Sequence, residues 1–215
     1  KDPLFKVTYT RKDDRFIELY ERGAIANKAK ADLFVSVHCN SSPSKDAHGS
    51  ESYVLGLHAN DINFEVAKEE NQVIFLEKDY KERYAGYDIN SPESFIGLSI
   101  MQEEYLEQSI QAAKRVQSSL AENTQRRDRG VKQAGFIVLH QTYMPAMLIE
   151  TGFLSNQEER DYLNSAVGQQ QIASSIVKAI KSYYNWLKNN SQLSKEAAAA
   201  ANGDIFYRIQ IATSN

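Results

Sequence analysis

Residues 33–40, Leu33-Phe34-Val35-Ser36-Val37-His38-Cys39-Asn40, constrain the fold more than any other stretch of the chain. The run is short, apolar and β-branched, and Ser41, Ser42 and Pro43 end it, so it reads as a strand buried on both faces. A strand buried in that way belongs to a sheet with helices on either side. This one delivers an imidazole at its carboxyl end, the edge where α/β folds carry chemistry.

The surrounding pattern supports such a fold. Phe5, Val7 and Tyr9 alternate with Lys6, Thr8 and Thr10, which predicts a half-buried strand. Asp13 or Asp14 can cap a following helix with the stripe Phe16, Leu19, Tyr20, Gly23 and Ala24. The opening is therefore β-α-β, and right-handed crossover logic makes the pair parallel. Further strands are predicted at Glu51–Leu55, Phe136–Leu139 and Ala146–Glu150, with a turn at Arg126–Gly130. Helical patterns cover 60–77, a long segment opened by Ser91-Pro92 with the later stripe Leu106, Ile110, Ala113, Gln117 and Leu120, and 167–187. A further helix begins at the capping-box spacing of Ser155–Glu158.

The totals exclude several classes. At 215 residues there is room for one domain and part of a second. A net charge of −3 gives no basic surface for nucleic acid or for a polybasic membrane anchor. The single Cys39 rules out an internal disulfide framework, and no stretch is apolar enough for long enough to span a bilayer.

Two residues are candidates for chemistry on their own surroundings. His38 ends a buried strand, where it is either a hydrogen-bonded structural residue or a metal ligand held by a second acceptor. Glu150 ends Met147-Leu148-Ile149, so its carboxylate is half-desolvated and its pKa should rise into the range of a general acid or base. The alternative is that Glu150 pairs with an arginine or caps the turn at Thr151-Gly152. His48, His58 and His140 share no motif with one another. The charged and aromatic stretch 79–104 is either a solvated excursion or a cover over the site.

Longer motifs narrow these alternatives. Thr10–Asp14, Leu19–Arg22, Ala26-Asn27, Ala31–Asn40, Arg129–Ala134, Phe136–Leu139 and Pro145–Asn156 together resemble, in order, the zinc-dependent N-acetylmuramoyl-L-alanine amidases of the cell envelope. The resemblance covers residues 5–187. It implies a three-layer α/β/α domain with a mixed, mostly parallel twisted sheet, and hydrolysis of the amide between N-acetylmuramic acid and L-alanine in peptidoglycan. It also implies Zn2+ as cofactor, His38 as the third zinc ligand, Glu150 as the catalytic glutamate and Asn40 as a substrate contact. The family's other two ligands, a His in a His-Gly-Gly pattern and a Glu in the next helix, are expected upstream of Lys1, so the chain alone should bind zinc weakly and be inactive.

The organisation implied is a catalytic domain over 1–188, a linker over 189–204 and, at 205–215, the start of a SPOR-like peptidoglycan-binding module. Residues 60–104 fall where division-associated members carry a helical insertion that occludes the metal. Glu93, Glu103 or Glu104 is the carboxylate expected to approach it, until a protein activator displaces the lid. Peptidoglycan is the expected partner and the periplasm or cell envelope the expected location. A non-catalytic wall- or division-partner-binding protein on the same scaffold is the competing reading. A glycosidase using Glu150 as acid is a weaker third, because no second carboxylate occupies a comparable motif.

Overall fold

A computed structural model describes residues 4–56, 61–95 and 103–200. Its centre is a four-stranded sheet in the order β1-β4-β2-β3, with β1 Phe34–Asn40, β2 Ser50–Leu55, β3 Asp128–Ala134 and β4 Ala146–Phe153. β1 runs parallel to β4 and β3 parallel to β2, while β2 and β4 meet antiparallel. The reversal follows from the short connection 41–49. A parallel crossover needs about a dozen residues or more, so a loop this short returns the chain in the opposite direction. The sheet is mixed as expected, with two parallel pairs flanking one antiparallel pair.

Helices cover both faces. On one side lie α1 (Leu19–Lys28), α2 (Asp61–Asn71) with the 3₁₀ turn Gln72–Leu76, and α3 (Tyr80–Arg83). On the other lie α4 (Glu103–Thr124), α6 (Gln157–Asn164) and α7 (Ala166–Ala200), and α5 is the short turn Ile137–His140. Two apolar clusters reflect the strand period of two. Ala146 and Leu148 of β4 and Tyr53 and Leu55 of β2 join Leu19, Ala67, Ile74 and Phe136 in one cluster. Met147, Ile149 and Val54 join Ala113, Val116, Leu120, Ile172 and Tyr183 in the other. Alternation therefore puts Glu150 and Glu51 on the face covered by α1 and α2.

Several expectations need correction. Phe5–Tyr9 forms no strand; Val7 and Tyr9 are 63% and 60% exposed, and Phe5 instead meets Tyr184 edge-on at 6.3 Å. Alternation supplies an apolar face, but none of the described strands pairs with it. β1 is not buried on both faces: it is an edge strand, with Val37 55% exposed. α1 starts at Leu19, later than an Asp13 or Asp14 cap requires, and Glu77 accepts from the Leu19 amide at 2.6 Å. Phe136–Leu139 is no strand. It leads into α5 and is buried on all sides, and an all-apolar run of that length reads equally well as strand or helix. Asp128–Gly130, expected as a turn, already belongs to β3. The Ser155 spacing does mark a helix start, but Asn156 is the cap, accepting from the Glu159 amide at 3.1 Å. Helical backbone continues to Ala200 through most of the expected linker. The expected module at 205–215 lies outside the described residues. No helix among the described residues is long and apolar enough to cross a membrane.

Candidate functional site

Strand register assembles the site. His38 of β1 is paired with Glu150 of β4, and Glu150 is paired with Glu51 of β2. Adjacent strands are about 4.8 Å apart, so the three side chains form a row across the sheet beneath α1 and α2. The β1–β4 register slips just beyond His38, where Asn40 pairs with Phe153. Thr151 secures the irregularity by donating its Oγ1 hydrogen to the His38 carbonyl at 2.9 Å. A bulge of this kind re-aims side chains at the end of a strand.

Glu150 is 1% exposed, and neither carboxylate oxygen has a hydrogen-bond partner. Burial, reinforced by the negative charges of Glu70, Glu51 and Glu69, pushes its pKa up to about 9. A buried carboxyl group without donors keeps its proton or takes a cation. Beside it, Nδ1 of His38 lies 2.7 Å from Oε2 of Glu70, which α2 projects onto the row. One ligating atom each from His38, Glu70 and Glu150 falls within a 4.8 Å cluster. An imidazole and two carboxylates, one of them with both oxygens buried and unpartnered, form a donor set that suits a divalent metal cation.

Glu51 is 1% exposed as well, but it is fully supplied with donors. Tyr53 Oη and Asn40 Nδ2 donate to its Oε1 at 2.7 and 2.9 Å, and Lys132 Nζ and Arg129 Nε donate to its Oε2 at 2.5 and 2.8 Å. Burial opposes ionisation of Glu51, yet the bonds from Lys132, Arg129 and Tyr53 outweigh it and hold the pKa below the usual carboxylate range. Paired carboxyl groups whose surroundings push them apart mark acid–base sites.

The structure thus brings His38 and Glu150 together, as their strand ends imply. Asn40, expected to meet substrate, is 5% exposed and spends Nδ2 on Glu51 and Oδ1 on the Ser41 amide, so it positions Glu51. Glu93 is exposed and accepts from Ser91, and Glu104 is exposed. The side chain of Glu103 lies outside the described residues. The carboxylate that does reach His38 is Glu70, on α2, outside the three carboxylates expected there. His48 and His140 lie outside the cluster, and His58 outside the described residues.

Comparison with known proteins adds to this geometry. The model of a family described as N-acetylmuramoyl-L-alanine amidase matches residues 1–182. The chain is 32% identical over 189 residues to N-acetylmuramoyl-L-alanine amidase AmiC of Escherichia coli O6:H1, a match covering 86% of this chain and 43% of that protein. It is 33% identical over 176 residues to the uncharacterized protein YqiI of Bacillus subtilis, covering 82% of this chain and 63% of that one. The chain thus spans less than two thirds of either relative. Among solved structures, the N-acetylmuramoyl-L-alanine amidase from Clostridium difficile 630 superposes with a TM-score of 0.55 at 27% identity, over 81% of this chain and 69% of that one.

Proposed function

Because this chain belongs to the N-acetylmuramoyl-L-alanine amidase family, we propose that it hydrolyses the amide joining the lactyl group of N-acetylmuramic acid to L-alanine in peptidoglycan. The observation that carries this reading is Glu150: a buried, unpartnered carboxyl group on a core strand, in register with His38. We take His38 as a zinc ligand and Glu150 as general base. Bound there, zinc would supply a polarised carbonyl and a water acidic near neutral pH. Glu150 accepts the proton of the attacking water and hands it to the departing alanine nitrogen. With a cation alongside, its ionised form is favoured, which brings its pKa down toward the working range.

Glu70 suggests how the activity is held back. Its Oε2 stands against His38 Nδ1, where an incoming amide would need to be. In this reading α2 and the segment following it form a lid. Peptidoglycan is the substrate, a protein activator lifts the lid, and the enzyme works in the cell envelope during wall remodelling or cell separation.

The test is digestion of purified sacculi by the zinc-loaded full-length protein, scored by new L-alanine amino termini. Glu150→Gln should keep its zinc and lose about 10²–10⁴ in turnover. Retained turnover in that variant removes Glu150 from the mechanism. Sacculus binding without release by the unaltered protein would instead identify a non-catalytic wall binder.

A further inference from the structure

Glu51 has more positive charge around it than one carboxylate needs. Arg129 and Lys132 both bond to its Oε2, while Asn40 and Tyr53 already satisfy Oε1. Two cations against one carboxylate leave one formal positive charge beside the row of His38 and Glu150. Unlike Glu51, whose side chain is 2% exposed, the side chains of Arg129 and Lys132 are 25% and 21% exposed. Arg129 spends only Nε on Glu51, and among the described residues its terminal nitrogens have no hydrogen-bond partner. Its guanidinium is braced 4.8 Å from the Phe153 ring centroid, and Lys132 Nζ sits 5.5 Å from that of Tyr53. Both cations are therefore oriented, partly desolvated and short of one anion.

Their place in the sheet defines what could supply it. Glu51 is one strand from Glu150 and β3 is the next strand beyond, so the cations lie roughly 5–10 Å from the proposed base. Two residues of extended peptide span about 7 Å. We propose that Arg129 and Lys132 form an anion subsite that recognises a carboxylate on the stem residue following alanine. The proposal rests on the hydrolase reading for the direction in which the stem runs. A guanidinium fork and an ammonium together suit a carboxylate better than a neutral amide.

Two probes test it: a muramoyl-L-alanyl dipeptide with a free carboxylate on the second residue, and the same compound as the carboxamide. Their affinities for the zinc-loaded Glu150→Gln variant of the full-length protein are measured by calorimetry, where turnover does not interfere. The carboxylate probe should bind about tenfold tighter or more. Adding Arg129→Gln or Lys132→Met should erase that preference while leaving the carboxamide affinity unchanged. Equal affinities in the parent, no binding of either probe, or equal weakening of both probes by the two variants would overturn the subsite. Cleavage of both probes by the unaltered protein is scored separately. A carboxylate preference without cleavage leaves the subsite standing and rejects the hydrolase.

Discussion

Glu150 and Glu51 face each other across β4 and β2, yet their surroundings ask opposite things of them. Four donors keep Glu51 ionised, whereas Glu150 has none and retains its proton up to about pH 9 against an ordinary carboxylate value of 4.5. The consequence for stability has a definite sign. Between those values the unfolded chain has released a proton that the folded protein still holds, so rising pH favours unfolding. The metal-free protein should lose stability from about pH 5 toward pH 9, and Glu150→Gln should remove that part of the slope. Urea unfolding across this range checks it; parallel profiles for the two proteins would contradict the assigned environment. His38 and Glu150 were legible in the sequence because each closes an apolar run. Their pairing was not, since register depends on contacts distant in sequence. Glu70 was not singled out, because it follows Lys68 and Glu69 on the charged side of the helical pattern over 60–77. A signal was present: 67, 70, 71 and 74 follow the i, i+3, i+4, i+7 spacing, and Ala67, Asn71 and Ile74 are buried. Glu70 is the carboxylate on the inward stripe.

At the scale of elements, the site depends on how the end of β4 is fastened. Arg126 and Glu159 form an ion pair that passes directly over Gly152. Glu159 Oε2 also accepts from the amides of Gly49 and Phe153, each at 3.1 Å, and Arg126 Nη1 donates to the Thr151 carbonyl at 2.6 Å. One pair of side chains therefore joins β2, β4 and α6. Gly49 lies at φ +98°, and a Cβ there would fall 2.2 Å from the Arg127 carbonyl oxygen, so the turn into β2 admits no side chain. Glu159 is 7% exposed, and removing it leaves the largely desolvated Arg126 guanidinium without its counter-ion. Glu159→Ala should cost about 3–5 kcal/mol in chemical denaturation, far more than Glu158→Ala one position earlier on the exposed side. Similar losses for the two would mean that the pair is not a fastening. These links explain which elements the sequence could disclose. β2 and β4 carry the core and were legible, although β4 runs on past Glu150 through Thr151 and Gly152 to Phe153. Phe5–Tyr9 has the right alternation and Phe136–Leu139 the right composition, but a strand exists only where another strand receives its hydrogen bonds.

For the whole molecule, the two helical layers are attached differently. α4 and α7 hold their side of the sheet through a continuous apolar cluster from Ala112 to Tyr183. The layer of α1 to α3 adds polar ties between residues 77–84 and the start of α1. Glu77 caps the Leu19 amide and accepts from Tyr84 Oη at 2.9 Å. Glu18 accepts from the Lys78 amide at 2.9 Å and from Arg83 at 3.0 Å, and Arg83 lies 3.4 Å from the Tyr20 ring centroid. Ile62 and Leu76 stay 68% and 72% exposed at either end of this layer, so little apolar burial secures α2 from outside. α2 and its 3₁₀ turn bury Phe64, Ala67 and Ile74 inward and are otherwise tied by polar contacts, and segments tied in that way open at lower free energy than the core. Arg83 is then a latch on the helix that carries Glu70. Arg83→Ala should speed hydrogen exchange across 61–76 while the amides of β4 and α4 keep their protection and the global unfolding temperature barely moves. If α2 is the lid, the same substitution should raise basal release from sacculi, and Glu70→Gln, which leaves the latch intact, should raise it without changing exchange. Faster exchange in β4 together with α2 would mean that the layer opens only with the whole domain. Unchanged release in both variants would separate a merely mobile α2 from one that governs access to His38.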